Sequence, residues 1–255
     1  MEISTRRFLI SFVALAVGSS PALSLAASRI LLIGDSHTTG DISTAARESN
    51  SPGIRLDELL RKLNSVFVTT YGSCGAQAGT YLHGNPTTCG YFERDENHVL
   101  SIPYPEGHST PVIDGILASV KPDTTVVFMG TNYAVGYEDA GIRYSVQSLT
   151  AKIRDAKSIC IWIGPPPARQ IRGLSAKDTQ TRLAELVQII SDAVKADCRF
   201  IDSSDFVSYP LTGGDGMHFS ALGSVGIPLA GSWASQACAG VTDAISGTID
   251  PLCSE

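Results

Sequence analysis

No long run of lysine or arginine occurs anywhere in the 255 residues, and the formal net charge is −6. Phosphate binding needs a concentrated basic face, so nucleic acid is excluded as the main partner. No repeat recurs at a solenoid period and no low-complexity tract interrupts the chain, which excludes a repeat array. None of the six cysteines stands in the short C-x₂₋₄-C spacing of a structural zinc site. What remains is ordinary for a globular protein: 43% hydrophobic and 17% charged residues, and a length suited to one sizeable domain with a full core.

The first residues read as an export signal rather than as part of the fold. Arg6 and Arg7 form a basic start, and residues 8–18 are an apolar run too short to span a bilayer. Ser24-Leu25-Ala26 then offers small residues for cleavage, so residues 1–26 are expected to be removed, leaving a single domain over 27–255 with no transmembrane segment. Thr5-Arg6-Arg7 suits a twin-arginine signal as well as a general secretory one, and both routes place the mature protein in the periplasm or outside the cell. An even number of cysteines in an exported chain suggests disulfides, although six allow fifteen pairings. Proximity favours Cys74–Cys89 and Cys238–Cys253, the second stapling a C-terminal tail over 236–255. Cys160 and Cys198 then remain, and buried free thiols are the alternative.

Five short, β-branched apolar runs, at 29–34, 66–70, 124–129, 158–163 and 199–202, read as strands covered on both faces. Helical patterns fall between and after them, at 54–63, 112–120, 142–156, 176–196 and 221–234, with Ser175 and Ser220 as candidate N-caps. Such alternation predicts a parallel sheet with helices on both faces, in which ligands bind beyond the carboxyl ends of the strands. Residues 71–109 read as one long connection rich in glycine, proline, histidine and aromatics, of a length typical of lids and binding walls.

Chemistry-bearing residues follow the strands. The first ends in Gly34-Asp35-Ser36-His37, where a serine at a tight turn can project its hydroxyl and place its own N–H beside an oxyanion. Tyr71-Gly72-Ser73-Cys74-Gly75 follows the second and Gly130-Thr131-Asn132 the third, offering a glycine N–H and a side-chain amide. Asp215-Gly216-Met217-His218 follows the fifth; a carboxylate three residues before a histidine can orient it as a general base.

In order, spacing and placement these blocks resemble the SGNH, or GDSL-type, hydrolases over roughly residues 29–235. The resemblance implies a three-layer α/β/α fold, flavodoxin-like, with a five-stranded parallel sheet. It implies Ser36 as nucleophile, Asp215 and His218 as its partners, and an oxyanion hole of the Ser36 N–H, the Asn132 amide and the N–H of Gly75, with Gly72 as the competing glycine. Gly164-Pro165-Pro166-Pro167 also matches a proline-rich segment often found there, whereas His37 stands where many members carry leucine. No metal or cofactor is required by this chemistry.

His37, Tyr81, Tyr91 and Tyr133 are candidate substrate contacts, part of an aromatic group that also holds Phe92, Tyr104 and Tyr137 and would suit sugar rings. His83, His98 and His108, with Glu93, Asp95 and Glu96, fit no familiar metal-ligand spacing and read as a solvated loop. The expected substrate is an acetyl or short acyl ester of a small molecule or glycan, acted on by a monomer. A lipase, lysophospholipase or thioesterase, an acyltransferase, and a glycan-binding or adhesin-like protein on an inactive scaffold are the alternatives.

Overall fold

The computed structural model describes residues 28–39, 51–87, 89–102 and 108–253. The predicted export segment and Tyr104 lie outside these residues. The first half runs β1 (Ser28–Gly34), α1 (Ser36–Thr39), α2 (Pro52–Lys62), β2 (Val66–Ser73), α3 (Ala78–His83), β3 (Tyr91–Arg94), β4 (Val99–Ile102) and α4 (Ile113–Val120). The second runs β5 (Thr124–Phe128), α5 (Asp139–Asp155), β6 (Ile159–Ile163), α6 (Ala176–Val194), β7 (Cys198–Ile201) and α7 (Gly226–Ser246). The strands form one sheet in the order β4-β3-β2-β1-β5-β6-β7.

Because successive strand side chains point to opposite faces, β1 feeds two cores. Ile30 and Leu32 pack with Leu56, Leu59 and Leu60 of α2 and with Trp233, Ala237 and Val241 of α7. Leu31 and Ile33 pack on the other side with Tyr81 of α3, Ile116 of α4, Val146 and Leu149 of α5, and Leu186 and Ile190 of α6. Each fully buried aliphatic chain contributes about 1.5–3 kcal/mol, and burial on both faces explains why these runs are continuously apolar. Ser175 caps α6 as expected, its hydroxyl accepting from the Asp178 N–H at 3.1 Å. Ser220 does not cap: it sits inside a 3₁₀ segment, Phe219–Val225, that precedes α7.

The five predicted strands are the parallel part of the sheet, β2-β1-β5-β6-β7. The sheet nevertheless has seven strands, because β3 and β4 add an antiparallel hairpin beside β2. Residues 71–109 are therefore not one loop. Four-residue strands are too short to display a period, and YFER carries two charges. Two devices hold the hairpin, one buried and one exposed. The carboxylate of Asp57 on α2 is fully buried and pairs with Arg94 of β3 at 2.9 Å and with Arg61 at 3.0 Å, while Thr70 Oγ1 donates to it at 2.6 Å. At the hairpin tip, Asp95 Oδ1 accepts from the N–H groups of Asn97 and His98 at 2.7 and 2.8 Å.

All six cysteines are paired, as Cys74–Cys89, Cys160–Cys198 and Cys238–Cys253. Cys160 and Cys198 face each other across β6 and β7. The tail is shorter than expected, since α7 continues to Ser246 and Cys238 lies on that helix. The enclosed spans are 38 residues for Cys160–Cys198 and 15 for Cys238–Cys253. In the chain-entropy estimate the first is worth about 4 kcal/mol and the second about 3 kcal/mol. Replacing each pair by serine should therefore lower the urea midpoint more for Cys160/Cys198; the reverse order would show that loop closure does not set the effect.

Candidate active site

The carboxyl end of β1 turns directly into α1. A side chain at Gly34 would lie 1.9 Å from Thr38 Oγ1, so only glycine lets the chain fold back this tightly. Asp35 closes the turn: its Oδ1 accepts from the His37 N–H at 2.9 Å and its backbone carbonyl from the Thr38 N–H at 2.9 Å. Tyr81, from α3, braces the same strand end, its hydroxyl donating to Gly34 O at 2.7 Å and accepting from Gly34 N–H at 3.3 Å. Ser36 is thereby held at the top of the sheet.

Ser36 Oγ lies 2.9 Å from His218 Nε2, and His218 Nδ1 lies 2.6 Å from Asp215 Oδ2. The other carboxylate oxygen of Asp215 accepts from the N–H groups of Met217 and His218, both at 2.8 Å. Burial alone would raise the Asp215 carboxyl. The hydrogen bond and charge of His218, with these two amides, outweigh it and hold the group well below the usual carboxylate range. The Asp215–His218 turn is fastened from the β6–α6 loop, where the N–H groups of Arg169 and Gln170 donate to Gly216 O at 2.7 and 3.1 Å.

Asn132 stands in the 3₁₀ turn Thr131–Tyr133 after β5. Its amide nitrogen donates to Ala76 O at 3.1 Å and to Asp35 Oδ2 at 3.3 Å. One carboxylate thus ties the turn that carries Ser36 to the turn that carries Asn132. The two candidate glycines differ in setting. Gly72 lies within β2 opposite Gly34, and a Cβ there would come within 3.0 Å of Thr38. Gly75 lies past the strand in the left-handed region, at φ +78°.

Four expected substrate contacts are corrected by burial. His37 is 2% exposed, with Nε2 at 3.4 Å from Thr131 Oγ1 and its ring between those of Phe128 and His218. Burial, then the charge of His218, push it well below the ordinary histidine value, so it is a neutral packing group beside His218. Tyr81 is fully buried and spends its hydroxyl on β1. The Tyr91 hydroxyl donates to Glu93 at 2.8 Å, and the Tyr133 hydroxyl accepts from the Ala78 N–H at 3.0 Å; both rings are buried. Tyrosines look alike in sequence whether their hydroxyls meet solvent or backbone. Tyr137, 47% exposed, is the member of that aromatic group left open to solvent among the described residues. Tyr209 carried no recognisable motif, yet its hydroxyl donates to His218 O at 3.1 Å. Among the described residues no group of three His, Cys, Asp or Glu side chains is arranged to hold a metal.

A nucleophilic hydroxyl, an oriented imidazole and nearby amide donors suit acyl transfer. No family model and no curated protein matches the chain. Solved structures do, and the fold they define is that of the GDSL-type, or SGNH, hydrolases. A lipase/acylhydrolase from Enterococcus faecalis is 23% identical, with 88% of this chain and 98% of that one covered at a TM-score of 0.51. A GDSL-like lipase from Bacteroides thetaiotaomicron is 13% identical over 82% and 87% of the two chains, also at 0.51. An acetylxylan esterase from Geobacillus stearothermophilus, solved as a catalytic mutant, is 14% identical over 82% and 93%, again at 0.51.

Asp35 yields a prediction. Full burial raises its carboxyl from 3.8 to about 6, against the opposing His37 N–H, the charge of His218 and the Gly130 N–H. The folded state then holds this proton more tightly than the unfolded chain does. The associated stability is fully present below 3.8 and is lost as pH rises through about 6. Asp35→Asn removes the ionisation, so the fall in Tm across that window should flatten relative to wild type; superimposable pH profiles would refute the assignment.

Proposed function

We propose that this protein is an exported serine ester hydrolase that works through an acyl-enzyme, with acetyl or short acyl groups on a glycan as its substrates. The observation that carries the reading is the continuous chain from Ser36 Oγ through His218 to Asp215, with links of 2.9 and 2.6 Å. His218 takes the Ser36 proton as Oγ attacks the ester carbonyl, and Asp215 orients the imidazolium that forms. The N–H groups of Ser36 and Gly75 donate to no acceptor among the described residues and are free for the tetrahedral oxyanion. Asn132 joins them by releasing the longer of its two bonds, to Asp35. His218 then protonates the leaving alcohol, and water attacks the acyl-enzyme with the same histidine as base.

Export is supported by the amino-terminal signal pattern and by three disulfides, which persist in oxidising compartments. A glycan ester is supported by the exposed Tyr137 in the loop that follows Asn132, and by the acetylxylan esterase among the structural neighbours.

Purified mature protein should hydrolyse p-nitrophenyl acetate and release acetate from acetylated xylo-oligosaccharides. Ser36→Ala should lower kcat by ~10³-fold or more with an unchanged circular dichroism spectrum, and Asn132→Ala by ~10²–10³-fold. Full activity in Ser36→Ala would refute the nucleophile. A rate that climbs steeply with acyl length would refute the short-acyl substrate.

A further inference from the structure

Tyr209 lies nine residues before His218 and is 9% exposed. Its hydroxyl donates to the His218 carbonyl at 3.1 Å and stands 3.5 Å from Asp215 Oδ1, the oxygen that does not face the imidazole. The intervening chain curls around that hydroxyl so tightly that a Cβ at Gly214 would lie 2.8 Å from it. The ring is fixed from both sides. Phe219 stacks on it, with centroids 5.7 Å apart, and the Arg169 guanidinium carbon lies 5.8 Å from its centroid. Arg169 also grips the same loop, Nη1 donating to Pro210 O at 3.1 Å and to Gly213 O at 3.0 Å, while its backbone N–H holds Gly216 O at 2.7 Å.

We infer that Tyr209, clamped by Arg169, is a positioning residue that sets the register of Asp215 and His218 against Ser36. This rests on the hydrolase reading above. Two contacts from one hydroxyl reach both members of the pair, at the backbone of one and the carboxylate of the other. The hydroxyl stays protonated: burial first, then the charge of Asp215, push it up to about 12, with the Gly216 N–H and Arg169 opposing. The ionisable groups around it are thus Asp215, His218 and Arg169.

Tyr209→Phe keeps the ring and its stacking and deletes the hydroxyl, which donates to His218 O and accepts from the Gly216 N–H. With p-nitrophenyl acetate, kcat should fall about tenfold at unchanged KM, the loss expected from one hydrogen bond that serves only to orient the base. The acid limb of the kcat/KM profile should move to higher pH, because Asp215 Oδ1 loses its longer share of the hydroxyl proton that is divided between it and His218 O, and the carboxylate then pairs more strongly with the imidazolium. A purely structural role would lower Tm and leave kcat per folded molecule and the pH profile unchanged. Wild-type kcat and an unmoved profile in Tyr209→Phe would overturn the inference. Should that variant fail to fold, Arg169→Met carries the test: it keeps the Tyr209 hydroxyl and an unbranched side chain, has no donor for either carbonyl, and should lower kcat about threefold at constant KM, with unchanged kcat overturning the clamp. Absence of esterase activity in wild type, or its retention in Ser36→Ala, would instead refute the nucleophile and leave the cause distinguishable.

Discussion

Everything in the site depends on where the sheet reverses its winding. β1 lies at the centre with β2 on one side and β5 on the other. The helix after β1 covers one face, whereas α3, α4 and α5 cover the opposite one. Connections leaving β1 and β5 therefore diverge, and a crevice opens at their carboxyl ends. Ser36 and Asn132 line that crevice from its two sides, and the Asp35 carboxylate bridges them. A parallel sheet wound to one face only would have no such gap, and the same residues would be scattered across a closed surface.

The parallel strands and the catalytic candidates were legible for the same reason. Strands buried on both faces are written as unbroken apolar runs, and the residues directly after them stand at one end of the sheet. The hairpin of β3 and β4 was not legible, because its pairing is secured by Asp57, Arg61 and Arg94, which are far apart in sequence and meet only after folding. The extent of α7 was missed in a similar way: Ser235 to Gly240 holds no large apolar residue to mark a helical stripe, yet Ala237 and Cys238 are fully buried against the sheet. The aromatic cluster was visible, but its use was not. Whether a tyrosine hydroxyl faces a ligand or a backbone carbonyl is decided by tertiary contacts, and Tyr81 and Tyr133 spend theirs on the strand end and on α3.

Two ionisable groups flank Ser36 in sequence and both are withdrawn from water. Asp35 and His37 point inward from the turn while Ser36 points to His218. Burial acts on them in opposite senses, raising the acid and lowering the base. Asp215, by contrast, is partly open to solvent and stabilised as an anion by several donors. Neighbouring side chains of similar chemistry are thus given different duties by depth alone.

The turn that presents Asp215 contains Gly213, Gly214 and Gly216, all in the left-handed region at φ +83°, +59° and +91°. Glycine loses more backbone freedom on folding than any other residue, yet only glycine takes this conformation without strain. The loop that carries His218 therefore has little tendency to order itself. Its shape is imposed from outside, by one arginine, one tyrosine and two backbone amides of a neighbouring loop. The order of the Asp215–His218 turn is thus borrowed from its surroundings rather than written into its own residues.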